Sequence, residues 1–153
     1  MDTIAHDPFV TEGDGTRLVS PDELWPRSDV ITLHAPATAA THHIVDDTTL
    51  RQMKPGAYLV NCARGSLVDH AALLGALDDG RLAGAGLDVT EPEPLPSGHP
   101  LLTHPRVIVT PHMASSTVAG RRRLYQQAID NALAVLSGLP ATVVPEQTRS
   151  SGW

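Results

Sequence analysis

Aromatic side chains make up only 3% of the 153 residues. A core built on stacked rings is therefore excluded, and any interior has to come from Ala, Val, Leu and Ile. There is one cysteine, Cys62, so an internal disulfide is impossible, as expected of a reducing compartment. No apolar run approaches the roughly 20 residues that a membrane-spanning helix needs. Met1 is not followed by a leader-like charged and apolar stretch, and the expectation is a cytoplasmic chain. A cationic excess is missing too: 11 Lys and Arg stand against 17 Asp and Glu, a net charge of −6. That argues against nucleic acid and anionic membranes as partners. The sequence contains no P-loop, no GxSxG, no HExxH and no GxGxxG.

What remains is an ordinary globular composition, 41% apolar and 18% charged. A chain of this length can bury roughly 70% of the surface it exposes when unfolded. Short apolar runs alternate with helix signals. Ile4–His6 reads as the tail of a strand turned by Asp7-Pro8, and Arg17–Val19 as a second short strand. Ser20-Pro21-Asp22-Glu23 is a helix start with Ser as N-cap, Pro in the first turn and Glu placed for a capping box, ending near Arg27. Asp29–Leu33 and Ala57–Asn61 read as buried strands. Asp46 caps a helix through Met53, and Asp69 caps another with Leu73, Leu74 and Leu77 on one face and Gly80 at its end. Leu82–Val89 is a glycine-containing strand, 90–104 a proline-rich loop, and Val107–Val109 a last strand. A long helix over 117–137 ends at Gly138, and 146–153 is a polar tail. Strands alternating with helices predict a doubly wound parallel sheet with helices on both faces. Ligands of such sheets bind at the carboxyl ends of the strands. Asp7, His34, Arg64, Asp88, Glu93 and His112 all fall at those ends.

Each of these residues also has an ordinary reading. Arg64, directly after a strand, can hold a carboxylate by a bidentate pair or can be a surface arginine. Cys62 has no histidine partner in a matching local signature, and is expected to be a small buried residue rather than a nucleophile. Asp88 and Glu93 are close enough in sequence to form an acid/base pair, though proline-flanked glutamates are commonly solvated loop charges. His112 after a strand and a proline can be structural. Eight histidines invite a metal reading, but His42 and His43 would point apart on an extended segment, so no metal site is expected. Arg121, Arg122 and Arg123 fan around a helix and form a solvated face rather than a nucleic-acid patch.

Taken in order, NCARGSLVD, GAGLDVTEPEPLP, HPLL and VIVTPHMASST resemble the D-isomer-specific 2-hydroxyacid dehydrogenases, from Ile4 to about Pro145. The resemblance implies a Rossmann-like NAD-binding domain, and oxidoreductase activity on a small 2-hydroxy or 2-keto acid, in a homodimer. It implies that Arg64 binds the substrate carboxylate, that His112 is the acid/base, and that Glu93, five residues beyond Asp88, supports the histidine. It implies NAD contacts from Asp7 (adenosine ribose), from Ala35, Pro36 and Thr41, from Cys62 and Ala63, and from Asp88 near the nicotinamide. An aspartate at position 7 favours NAD over NADP. The same resemblance makes residues 1–145 an incomplete NAD-binding domain. The first strand and the GxGxxG turn that would precede Asp7 are absent, and the 117–137 helix is one that packs on a substrate domain. A non-catalytic remnant or interaction module that keeps the fold is the alternative expectation.

Overall fold

The computed structural model describes residues 1–11 and 15–142; the tail expected at 146–153 lies outside them. The chain divides into two compact units, residues 1–113 and 114–153.

The first unit opens with a parallel two-stranded ribbon. Strand β1 (Ile4–Ala5) sets Ile4 beside Arg17 and Ala5 beside Leu18 of β2 (Arg17–Leu18). Helix α1 (Pro21–Arg27) starts as its sequence predicts, with Ser20 Oγ accepting the Glu23 N–H at 3.3 Å. The Glu23 carboxylate is taken by ion pairs, to Arg17 at 3.0 Å and to Arg27, in place of the reciprocal arm of a capping box.

Four further strands form one parallel sheet in the order β3-β4-β5-β6: β3 (Val30–Leu33), β4 (Ala57–Asn61), β5 (Leu82–Leu87) and β6 (Val107–Val109). Helix α2 (Asp47–Gln52) lies between β3 and β4. Helix α3 (His70–Asp78) lies between β4 and β5. Both begin on an aspartate: Asp46 accepts the Thr49 N–H at 2.8 Å, and Asp69 accepts those of Ala71 and Ala72 at 2.9 and 3.1 Å. Gly80 follows α3 with φ +73°, a conformation an L side chain rarely tolerates. The 90–104 loop contains one 3₁₀ turn, Pro100–Leu102, which buries Leu101.

The two-residue period of the strands decides where the core sits. Ile31, Leu33, Leu59 and Leu87 point to one face, where they cluster with Trp25 of α1, Leu50 of α2, and Leu73 and Leu77 of α3. Val30, Tyr58 and Ile108, on the opposite face by register, are 58%, 51% and 71% exposed. Helices thus cover one face of the sheet within residues 1–113, where the alternation of elements had suggested both. The strands also separate into two sheets, with β1-β2 apart from β3–β6. A first strand, in the order 3-2-1-4-5-6, would lie between β1 and β3, so the break falls where that strand would pair.

In the second unit, helix α4 (Val118–Leu136) begins at Thr117, whose Oγ1 accepts the Gly120 N–H at 2.9 Å. No residue of α4 is buried: Val118, Tyr125, Ile129, Leu133 and Leu136 are exposed, as are Arg121, Arg122 and Arg123. No helix among the described residues is long and apolar enough to cross a membrane.

Candidate active site

Because β3 to β6 are parallel, their carboxyl ends share one edge of the sheet, and the segments that leave them carry the polar residues. The centre of this edge is a hydrogen-bonded pair: His112 Nδ1 lies 2.6 Å from Glu93 Oε1, with the two side chains 50% and 41% exposed. The second Glu93 oxygen accepts the Thr90 N–H at 3.5 Å, and Thr90 Oγ1 donates to the Pro92 carbonyl at 2.9 Å. The spacing that selected Glu93 over Glu91 therefore agrees with the contact made.

His112 sits at φ +51°, a left-handed conformation that costs a non-glycine residue of order 1 kcal/mol and persists only where surroundings impose it. Asp88 and β5 impose it. The His112 N–H donates to the carbonyls of Asp88 (2.9 Å) and Thr110 (3.0 Å). The Asp88 carboxylate, 5% exposed, accepts from Thr110 Oγ1 at 2.5 Å and from the Met113 N–H at 2.7 Å. Asp88 is thus the buried anchor that clamps both sides of His112.

Asn61, fully buried at the end of β4, organises the neighbouring turn. Its Oδ1 accepts the Ala63 N–H at 3.0 Å and its Nδ2 donates to the Arg64 carbonyl at 2.8 Å. Its own carbonyl accepts the Asp88 N–H at 2.9 Å. Arg64 is exposed, with Nη1 donating to the Ala63 carbonyl at 2.7 Å. The next residue, Gly65, packs so closely on the loop after β5 that a Cβ there would stand 2.0 Å from the Thr90 carbonyl oxygen. The arginine turn and the glutamate loop are therefore joined backbone to backbone. Sequence reasoning missed Asn61, Gly65, Thr90 and Thr110. Asn61 had a readable signal, since it continues the inward alternation Ala57, Leu59, Asn61 and is the polar member of that row.

The other expected residues occupy separate loops. Asp7, after β1, is exposed and accepts the Phe9 N–H at 2.8 Å. Ala35 is partly buried against the core, and Thr41 Oγ1 donates to the Pro36 carbonyl at 2.6 Å. Ala63 is partly buried. Among the described residues no hydrogen bond joins Asp7 or Thr41 to the Glu93–His112 pair. Cys62 is exposed, contrary to the buried thiol expected. It leaves β4 one residue after the inward-facing Asn61, on the solvent side of the turn. His42 and His43 do not point apart: they lie in a turn, His43 has φ +51°, and their rings stack with centroids 3.9 Å apart. Burial holds the His70 imidazole below its usual pKa, and the neighbouring His99 lowers it further.

The chain matches the family "D-isomer specific 2-hydroxyacid dehydrogenase, NAD binding domain" over residues 1–114. It is 45% identical over 127 residues to a glyoxylate reductase of Thermofilum pendens, covering 82% of this chain and 38% of that protein. It is 42% identical to a glycerate dehydrogenase of Methylorubrum extorquens, covering 94% and 45%. The crystal structure of a glyoxylate reductase from Paecilomyes thermophila superposes with a TM-score of 0.87 at 38% identity, covering 96% of this chain and 46% of that one. The chain therefore spans less than half the length of these relatives. By the family match over residues 1–114, by the identities and by the shared fold, the chain belongs to the D-isomer-specific 2-hydroxyacid dehydrogenase family and carries NAD-binding-domain sequence of it.

Proposed function

We propose that this chain supplies the acid/base and part of the NAD site of a dehydrogenase acting on a small 2-hydroxy or 2-keto acid. The observation that carries the reading is the 2.6 Å His112–Glu93 pair on the exposed carboxyl edge of the sheet. A carboxylate on Nδ1 fixes the tautomer and orientation of the ring, and leaves Nε2 as the nitrogen that exchanges a proton with the substrate oxygen. Arg64, exposed on the adjacent turn, pairs with the substrate carboxylate and sets the approach of its C2 atom. Asp88 and Asn61 act as positioning residues beneath them.

The donor set fits NAD in part. Asp7 offers an exposed carboxylate to ribose hydroxyls at the end of β1, and Ala35, Pro36 and Thr41 line a loop at the end of β3. Cys62, Ala63 and Asp88 lie on the His112 side. A cradle of backbone N–H groups for the diphosphate is not among the described residues. When bound, NAD supplies the hydride acceptor for oxidation of the hydroxy acid. During that oxidation His112 accepts the hydroxyl proton while Glu93 compensates the charge on the ring, and in the reverse direction His112 returns it.

A homodimer is part of this proposal. It is supported by the apolar surface left exposed at Val30, Tyr58 and Ile108, more than scattered surface residues. A cytoplasmic location is supported by the exposed lone thiol of Cys62. The test is a chimera in which the N-terminal part of the Thermofilum glyoxylate reductase precedes residue 1. It should reduce glyoxylate or a related 2-keto acid with NADH, and His112→Ala should lower kcat by about 10²–10⁴. A chimera that binds NADH and turns over equally well without His112 would refute the assignment.

A further inference from the structure

The sequence gives no reason to pair His42 and His43 with Glu91, yet the fold brings all three together. His42 Nε2 lies 3.9 Å and His43 Nε2 3.8 Å from the same Glu91 oxygen, Oε2. The three donor atoms all fall within 4.8 Å of one another. These separations are too long for hydrogen bonds. They suit atoms meeting at a common ion: with zinc–nitrogen and zinc–oxygen bonds of about 2.0–2.2 Å, tetrahedral ligands stand roughly 3.4 Å apart. Closing the cluster onto such an ion brings donor atoms now within 4.8 Å to roughly 3.4 Å apart and rotates the stacked rings, and all three side chains are at least 38% exposed and able to move.

The backbone beneath the donors is held from three directions. The turn that carries the histidines is closed by the His42 N–H to the Thr38 carbonyl (3.0 Å) and by the Ile44 N–H to the Thr41 carbonyl (3.1 Å). It is sewn to the turn after Arg64 by the His43 N–H to Ser66 (2.8 Å) and the Val45 N–H to Leu67 (3.0 Å). That second turn begins at Gly65, whose contact with Thr90 sets the position of Glu91. The two rings stack with centroids 3.9 Å apart at 24°, which sets both Nε2 atoms within 4 Å of one carboxylate oxygen; rotation out of the stack brings their in-plane lone pairs onto a shared ion.

We propose that His42, His43 and Glu91 form a divalent transition-metal site, with zinc as the fitting ion and a water completing four-coordination. Two imidazoles and one carboxylate are a borderline donor set suited to zinc; Mg²⁺ and Ca²⁺ take all-oxygen shells. Glu91 and Glu93 then have separate tasks on one loop. Glu93 holds His112, and Glu91 ties the loop through the metal to the turn that follows β3. The site is a staple at the rim of the strand-end edge, and the inference stands apart from the dehydrogenase reading.

The experiment is a zinc titration of the metal-stripped 153-residue chain at neutral pH against a chromophoric competitor. One ion per chain should bind in the micromolar range or tighter. His42→Ala, His43→Ala and Glu91→Gln should each weaken it by at least tenfold, since even outer-shell changes cost 10–100-fold. His6→Ala, with its ring elsewhere on the surface, should not. X-ray absorption of the zinc-loaded native chain should count two imidazoles, a reading that needs no variant to fold. Absence of stoichiometric binding, fewer than two imidazoles, or affinity unmoved by any one of the three substitutions would overturn the site and leave surface histidine binding only.

Discussion

Gly65→Ala is the substitution with the most direct structural consequence. Gly65 is not at positive φ, so no conformational argument applies; its requirement is space. An added Cβ would lie 2.0 Å from the Thr90 oxygen, 2.1 Å from its carbonyl carbon and 2.7 Å from the Glu91 nitrogen. All are backbone atoms, and none can rotate aside. Restoring even a tight contact of about 3 Å requires the Thr90–Glu91 peptide or the Gly65 turn to retreat by about 1 Å. Overpacking in a well-packed region costs about 1–3 kcal/mol, and a main-chain clash belongs at the upper end. In a domain of this size 1 kcal/mol moves Tm by about 2–4 °C, so a loss of about 6–12 °C is expected. Gly75→Ala, in the same chain, is the internal control. Gly75 lies inside α3 with nothing within 4 Å of its would-be Cβ. Alanine there should gain about 0.5–1 kcal/mol from helix propensity. Thermal denaturation followed by far-ultraviolet circular dichroism reads both. A Gly65→Ala variant as stable as the parent would refute the claim that the arginine turn and the glutamate loop are locked backbone to backbone.

Asp88→Ala removes a buried carboxylate that accepts from Thr110 and Met113. Hydrogen bonds to a charged group contribute about 1.5–3 kcal/mol each, so a destabilisation of at least 2 kcal/mol in urea unfolding is expected; less than 0.5 kcal/mol would show that the His112 segment holds itself. His70 gives a pH dependence. Its two ring nitrogens are buried without hydrogen-bond partners among the described residues, and burial, then His99, keep its folded pKa below the ordinary 6.5, against Glu91 and Asp69, which raise it, with His43 lowering it. The folded state then binds fewer protons than the unfolded one, so stability should fall as pH drops through the unfolded value near 6.5. With chelator present, His70→Leu should flatten that dependence in unfolding curves between pH 7.5 and 5.5; an unchanged slope would remove His70 as its source.

The supporting elements were legible because local chemistry specifies them. Ser20, Asp46, Asp69 and Thr117 each cap the helix they precede, and the β-branched runs at 30–33 and 107–109 pair as strands. Counting five residues on from Asp88 picks out Glu93, and Glu93 is the loop glutamate that contacts His112. What the sequence hid were contacts made across the sheet edge between distant segments. Gly65 against Thr90, Asn61 against the Arg64 turn, and His42 and His43 against Glu91 depend on where three connections leave parallel strands, and no periodicity within one segment encodes that. The exposed face at Val30, Tyr58 and Ile108 was illegible for another reason: β-branched and aromatic residues in a strand predict burial without naming the layer that provides it.

The same contacts tie the strand ends of the sheet to one another. The ends of β4, β5 and β6 are hydrogen-bonded to one another through Asn61, Asp88 and Thr110, and each of these positions the residue that follows it. Arg64, Glu93 and His112 are thus built from below, by three strands whose neighbours on the core side are the most buried side chains in the molecule. The break in the sheet falls on the other flank, between β1 and β3, beyond the strand that borders this group. Asp7 follows the two-stranded ribbon, whereas the Glu93–His112 pair rests on the continuous four-stranded sheet. Hydrogen exchange of the isolated chain should follow that gradient: amides of β4 and β5 should be the slowest, and those of β1 and β2 close to unprotected. Uniform protection from Ile4 to Val109 would mean that the ribbon and the sheet unfold as one cooperative unit, and that the strand-end site depends on both.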